Sequence, residues 1–428
     1  MSAPRRPPVP PELQRGYLTA AAGLRPIQGE VREEPEDFQV EEVPLYAPAG
    51  EGAHLYLWVE KRGIPTDEAV RRISRRLGIP RRDVGHAGLK DARALTRQWL
   101  SIPAPRQAEP GAELPALDDG QLRVLEARRH KNKLKVGHLL GNRFRLRLRG
   151  GAGPDGVGAT DARAALELLA RRGVPNYFGL QRFGVERHTH LLGQALVRED
   201  PARLVALLLT GAGRPGDPQP GGRMGEAREA ARASDWTRAA ELLPPSLAAE
   251  SALARALARG ASVEQAARAI GGKWTGFYAA AWQSWLFNAY LTRRLERIDA
   301  LEAGEVATLH RNGAAFLVED PAREAPRCAA FEISPSGPLF GRRLLRPAEG
   351  SGPRADEDAL LAELAPGIDP EVGEALGARP QGERRPLRIA LRELVVEVEG
   401  PDLILGFFLP RGSYATSVLE ELFQRQTD

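Results

Sequence analysis

The chain reads as a mixed α/β (α+β) protein in which a helical-rich domain interrupts a mixed-sheet domain. Three observations predict this. Strand-like alternation occurs near the start, recurs between residues 121 and 150, and returns only at Val395–Leu409. Between these lies a long Ala-rich helical stretch, from Ala227 to Ile270 and on through Thr275–Arg294. At 428 residues the chain exceeds one ordinary hydrophobic core, and 42% hydrophobic content suffices for two. The expected division is 1–200 for the first part of the mixed domain, 201–383 for the insertion and 384–428 for the returning part. Residues 1–15, rich in Pro and Arg, are expected to form a flexible arm.

In chain order, the DFQVEEV run alternates Phe38 and Val40 with polar neighbours and suits a strand, as does the β-rich HLYLWVE from His54 to Glu60. A helix follows, with Thr66 as N-cap, Asp67 and Glu68 in the first turn, Ala69, Val70, Ile73 and Leu77 on one face, and Gly78 as the stop before Pro80. Arg71, Arg72, Arg75 and Arg76 crowd its other faces. Residues 104–119 read as a loop. From Gln121 to Gly150 there are ten Arg or Lys against one acid, Glu126. Within this stretch Phe144, Leu146 and Leu148 alternate with Arg143, Arg145, Arg147 and Arg149, the signature of a half-buried strand with an arginine outer face. Asp161–Arg172 is amphipathic and ends at Gly173. Gly and Pro mark 211–222 as a linker or loop, and Pro244-Pro245 breaks the Ala-rich stretch.

Composition excludes several classes. One cysteine, Cys328, rules out an intrachain disulfide and any multi-cysteine zinc or iron–sulfur centre. No metal and no cofactor are expected. No run of about twenty apolar residues predicts a membrane span, the first residues lack a secretory apolar segment, and a cytoplasmic monomer is the expectation. Of 60 basic residues all but six are arginine, which suits phosphate recognition, although genomic base composition accounts for such a bias equally well. The basic run 128–149 is the stronger hint of RNA, with Lys131, Lys133, Lys135, Arg143 and Arg145 as phosphate contacts; a solvated strand face is the plain alternative.

Two short segments carry chemistry. GHAGLKDARALTRQ (85–98) sets Lys90 beside Asp91 after Gly85 and Gly88, which permit a tight backbone, with Arg93 and Arg97 expected to keep the carboxylate ionised. An ionised carboxylate serves as nucleophile or base, and a surface ion pair is the ordinary alternative. NYFGLQRFG (176–184) packs rings, an amide and Arg182 together, as stacking on unpaired bases requires.

These segments resemble the signatures of TruD-type pseudouridine synthases. Ala87, Gly88, Lys90, Asp91, Ala94, Thr96 and Gln98 match the first, and Asn176, Phe178, Gly179, Gln181, Arg182, Phe183 and Gly184 the second. HKNKLKVGHLLGNRFRLRLR (130–149), Gln283–Asn288, Ser334–Gly341 and Phe408–Ser417 resemble further blocks of the family in the same order, so the likeness runs from about residue 26 to residue 423. Ala280, Ser336 and the 213–222 loop depart from the family pattern. The resemblance implies a mixed-sheet pseudouridine-synthase catalytic domain carrying an inserted TruD-specific domain. It also implies isomerisation of uridine in RNA, by default uridine 13 in the D-arm of tRNA. Asp91 is then the essential carboxylate, attacking C1′ or acting as base at C2′. Asn176 and Phe178 become active-site residues, with Phe178 stacking on a flipped base; Lys90 has an electrostatic role and Arg182 binds phosphate or supports the site. A non-catalytic RNA-binding protein or RNA chaperone on the same fold is the main rival. A nucleoside or glycoside hydrolase is the second, with Glu41 and Glu42 as conceivable partners, though these better suit a strand end.

Overall fold

The computed structural model describes residues 9–31, 33–104, 118–211, 221–371 and 376–426. Most of the 104–119 and 211–222 segments and the first eight residues of the expected arm fall outside these. The chain divides into two compact units, one built from 19–174 and 389–425, the other from the N-terminal residues to Leu18 with 175–388 and 426–428.

The first unit is organised on an eight-stranded mixed sheet. Its strands are β1 (Phe38–Pro44), β2 (His54–Arg62), β3 (Gly85–His86), β4 (Leu95–Pro103), β5 (Leu122–His130), β6 (Leu139–Leu148), β7 (Arg392–Glu399) and β8 (Asp402–Pro410). The order is β7-β8-β6-β1-β4-β2-β5, with β3 on β4. Only β1 and β4 run parallel, in register Val40 to Thr96; all other pairs are antiparallel. Helix α1 (Thr66–Leu77) buries Ala69, Val70 and Ile73 against Leu57, Val59, Leu100 and Ile102. Each such large side chain contributes about 1.5–3 kcal/mol when fully buried. Gly78 ends the helix in the left-handed region, φ 64°. The cap differs from expectation: Pro65 is the N-cap and Thr66 the first helical residue. Its hydroxyl is engaged elsewhere, as shown below. Helix α2 (Val157–Arg172) lies along β7 and packs against α3 (Ala415–Phe423). On β6, Phe144, Leu146 and Leu148 turn inward and the arginines outward, as the alternation requires.

The second unit is helical-rich. Its core gathers Leu192, Leu196, Leu204, Leu208, Leu253, Leu257 and Tyr278 from successive helices. The longest helix, Gly272–Arg294, packs on Thr189–Val197 and on Ile333–Leu339 of a four-stranded antiparallel sheet. Asp200, Asp235 and Asp320 cap helices by accepting backbone N–H groups two or three residues on. The main stretch of this compact unit runs from Pro175 to Arg388, wider than the 201–383 drawn from sequence texture. The helix Thr189–Val197 belongs here because its partner is the long helix.

Candidate active site

In the sheet unit, the loop from Ala87 to Ala94 joins β3 to β4 and carries Asp91 on its exposed crest. The loop is tethered almost residue by residue. Ala87 O accepts Gly137 N–H at 2.7 Å and Gly88 O accepts Gln98 Nε2 at 3.1 Å. Thr66 Oγ1 accepts Lys90 N–H at 2.8 Å while donating to Gln98 Oε1 at 2.9 Å. The Thr66 hydroxyl thus ties the first turn of α1 to the Asp91 loop. Ala94 O accepts Gly63 N–H at 3.1 Å. Gly85 is required by close approach, since a Cβ there would lie 2.4 Å from Leu134 O.

Beneath the loop are two buried lysines. Lys61, 1% exposed on β2, donates from Nζ to Ile64 O at 2.7 Å, Asp91 O at 2.9 Å and Lys90 O at 3.4 Å. Burial pushes its pKa down to about 8, against the attraction of Asp91; Lys90 lowers it further. Lys90 pairs with Glu42 at 2.6 Å, the two side chains 4% and 1% exposed. Glu42 Oε1 also accepts Trp99 N–H at 3.3 Å. Burial raises the Glu42 pKa even with this ammonium beside it. Glu42 is thus an inward member of a buried network, where the sequence suggested strand-end decoration. Arg97, expected beside Asp91, instead projects from β4 to Glu60 at 2.8 Å and Glu41 at 3.8 Å. The cation that reaches the Asp91 backbone is Lys61, which sequence reasoning missed; a lone lysine ending an apolar strand run was its only sign.

The second segment lies in the helical unit. Asn176 is buried, donating to Pro386 O at 2.8 Å and accepting from Arg385 Nη2 at 2.5 Å. The backbone of Phe178 is gripped both ways by one amide: Phe178 N–H donates to Asn288 Oδ1 at 2.8 Å and Phe178 O accepts Asn288 Nδ2 at 2.9 Å. The half-exposed Phe178 ring meets Arg385 at 4.1 Å, Arg182 at 5.1 Å, and Phe287 edge-on at 5.6 Å. Such guanidinium contacts hold the ring in one orientation. Arg385 and Asn288 are the supporting residues that the sequence did not single out, although Asn288 ends a quoted block.

The proposed RNA contacts separate into two groups. Arg143 pairs with Glu393 at 2.6 Å, and Arg145 with Glu397 and Glu399 at 3.2 and 2.9 Å. Lys131 pairs with Glu51 at 3.0 Å, Lys133 donates to Arg82 O, and Lys135 makes no ion pair among the described residues. Among the described residues no group of His, Cys, Asp and Glu is arranged to hold a metal ion, and no helix is long and apolar enough to cross a membrane.

A family model described as tRNA pseudouridine synthase D (TruD) matches residues 14–422. The chain belongs to the TruD family. It is a pseudouridine synthase, an isomerase. A relative from Geotalea daltonii, named tRNA pseudouridine synthase D, is 46% identical over 413 residues, which is 95% of this chain and 99% of that protein. Relatives of the same name from Geobacter sulfurreducens and Thermus thermophilus are 47% and 38% identical over 96% and 95% of this chain, and 97% and 92% of their own. The crystal structure of the Methanosarcina mazei TruD protein shares the fold, with a TM-score of 0.76 at 24% identity and 95% of each chain covered.

Proposed function

We propose that this TruD-family chain acts on tRNA, converting uridine 13 of the D-arm to pseudouridine with Asp91 as the catalytic carboxylate. The observation that carries the reading is the Asp91 loop. Its backbone is fixed by Lys61, Thr66, Gln98 and the Lys90–Glu42 pair, while the Asp91 residue itself stays exposed. A group meant for a surface ion pair needs no such bed; a group that must meet one carbon of a ribose does. The curated relatives are named for tRNA.

The reaction breaks the bond from uracil N1 to C1′, turns the base and joins its C5 to C1′, with the C5 proton lost to solvent and N1 protonated. Nothing is oxidised and no water is consumed. Asp91 supplies the negative oxygen, as nucleophile at C1′ or as base at C2′. The target must leave the stack first, at a cost of about a few kcal/mol, and Phe178 offers a ring for the flipped base. Asn176 and Arg182 hold that segment in shape. Lys90 acts through its pair with Glu42, positioning the loop. Lys131, Lys133 and Lys135 face the RNA backbone; Arg143 and Arg145, whose charge is met by Glu393, Glu397 and Glu399, serve the sheet.

Unmodified tRNA transcripts incubated with the protein, then mapped by carbodiimide primer extension, test this. A stop at position 13 for wild type, absent for Asp91→Asn, is expected. A stop that survives in Asp91→Asn overturns the residue assignment. No stop on any tRNA, with tight RNA binding retained, favours the binding-only rival.

A further inference from the structure

The segment that links β5 to β6 shapes a cavity of about 520 Å³ within the sheet unit, lined by Tyr46, His130, Asn132, Lys133, Lys135 and His138. No carboxylate lines it. Lys135 is exposed and makes no ion pair among the described residues, and Lys133, which gives one N–H to Arg82 O, has two left. His130 adds a donor of known tautomer. Its Nδ1 accepts Ala49 N–H at 3.1 Å, so in the neutral ring the proton sits on Nε2. Burial, with His54 and Lys131 nearby, lowers the His130 pKa. Tyr46 braces the wall: it stacks on His130 at 5.1 Å and 12°, and its hydroxyl bonds His138 Nδ1 at 2.7 Å.

The cavity is also fixed relative to Asp91. Leu134 N–H donates to Ser101 Oγ at 2.9 Å, and Gly137 N–H donates to Ala87 O at the root of the Asp91 loop. Asp91 lies four chain steps on from Ala87, a span of at most about 14 Å. Two ammonium groups and an imidazole lining one cavity, with no acid in its lining, suit a tetrahedral oxyanion.

We propose that this cavity is a phosphate subsite that seats the RNA backbone of a nucleotide neighbouring the target uridine. The inference rests on the reading of Asp91 as the catalytic carboxylate of a tRNA-modifying enzyme. One phosphate held here fixes the strand's register while the uridine turns out, so the subsite acts on KM more than on kcat.

The test is steady-state kinetics of the full chain on the tRNA transcript over a range of KCl, for wild type, Lys135→Ala, Lys135→Arg and His130→Phe. Lys135→Ala is expected to raise KM about tenfold, the worth of one charge-assisted hydrogen bond. It should also flatten the slope of log(kcat/KM) against log[KCl] by about 0.7–0.9, one phosphate contact. Lys135→Arg restores the slope, and His130→Phe, which keeps the ring stack, raises KM less without changing the slope. Inorganic phosphate at matched ionic strength is the arm for a free anion: competition with tRNA in wild type but not in Lys135→Ala confirms the chemistry, whereas phosphate binding by NMR with no change in KM for any variant assigns a free-anion site and overturns the RNA role. Wild-type KM and slope in Lys135→Ala, with an active wild type, overturn the subsite alone. A wild type inactive on every tRNA overturns the underlying reading as well.

Discussion

Two sets of cations in the sheet unit behave in opposite ways. Along β6 the outward arginines meet acids of β7, β8 and the segment before β1: Arg143 with Glu393, Arg145 with Glu397 and Glu399, Arg147 with Asp402, and Arg149 with Asp37 at 3.0 Å. The ladder's pairs with β7 and β8 are part-exposed and join positions about 250 residues apart, and it returns little net charge to the surface. Under the Asp91 loop, Lys61 and Lys90 are buried and hold carbonyls and one carboxylate. The alternating arginine run of β6 is therefore a staple of the sheet, while two isolated lysines set the shape of the Asp91 loop. What a cation does is decided by its burial and its partner, and neither is written in local charge density.

The largest expected effect follows from cutting the buried pair. Glu42→Gln leaves the Lys90 ammonium in an apolar setting without its counter-charge, at about 3–5 kcal/mol of folding free energy. Replacing both residues with apolar ones of like volume recovers most of that loss. Urea unfolding followed by tryptophan fluorescence reads both; a single variant as stable as wild type would mean the pair is not closed in solution.

Lys61→Met is expected to lower kcat at least tenfold with KM within about twofold, because Ile64 O, Lys90 O and Asp91 O lose a shared donor and the carboxylate loses its fixed backbone. A pH profile sharpens this. The folded pKa of Lys61 is about 8 against 10.5 for an ordinary lysine. As pH rises through about 8 the folded protein loses the ammonium that clamps the loop, and kcat should fall. Between about 8 and 10.5 the unfolded chain holds that proton more tightly, so this group's contribution to stability rises over the same window. Activity falling while the melting temperature holds, on either side of pH 8, separates loop release from unfolding; a kcat flat to pH 9.5 contradicts the clamp.

Much of this architecture was legible, and the reasons for the gaps are specific. Phe144, Leu146 and Leu148 alternating with arginine marked β6, and Gly78 and Gly173 marked helix ends, because periodicity and glycine's left-handed freedom act locally. The parallel pairing of β1 with β4 carried no such mark, since register between distant strands is set by the whole sheet. Compactness divides the chain near Pro175 and composition near 201, because composition changes where the helices become Ala-rich, whereas compactness follows the packing of Thr189–Val197 on Gly272–Arg294. The motif positions of Asp91, Asn176 and Phe178, on which the proposed chemistry rests, stand in the chain itself. The partners of Glu42, Lys61 and the hydroxyl of Thr66 do not, because a polar residue in a strand or first helical turn looks the same whether it faces water or a buried carbonyl.

The smallest effect tests the other side of the comparison. Arg145→Ala removes a guanidinium that is about half exposed and bonded to two equally exposed carboxylates. Exposed pairs of this kind are worth about 0–1 kcal/mol and are screened by salt, and neighbours in the ladder can take up the freed Glu399, which already binds Arg147. The expected outcome is a fall in stability below about 1 kcal/mol, shrinking further at 0.5 M KCl, and a KM for tRNA that does not move. If KM instead rises tenfold and the salt slope of kcat/KM drops by about one phosphate contact, the ladder opens to meet RNA. The arginines of β6 would then be binding residues held in reserve by their acids.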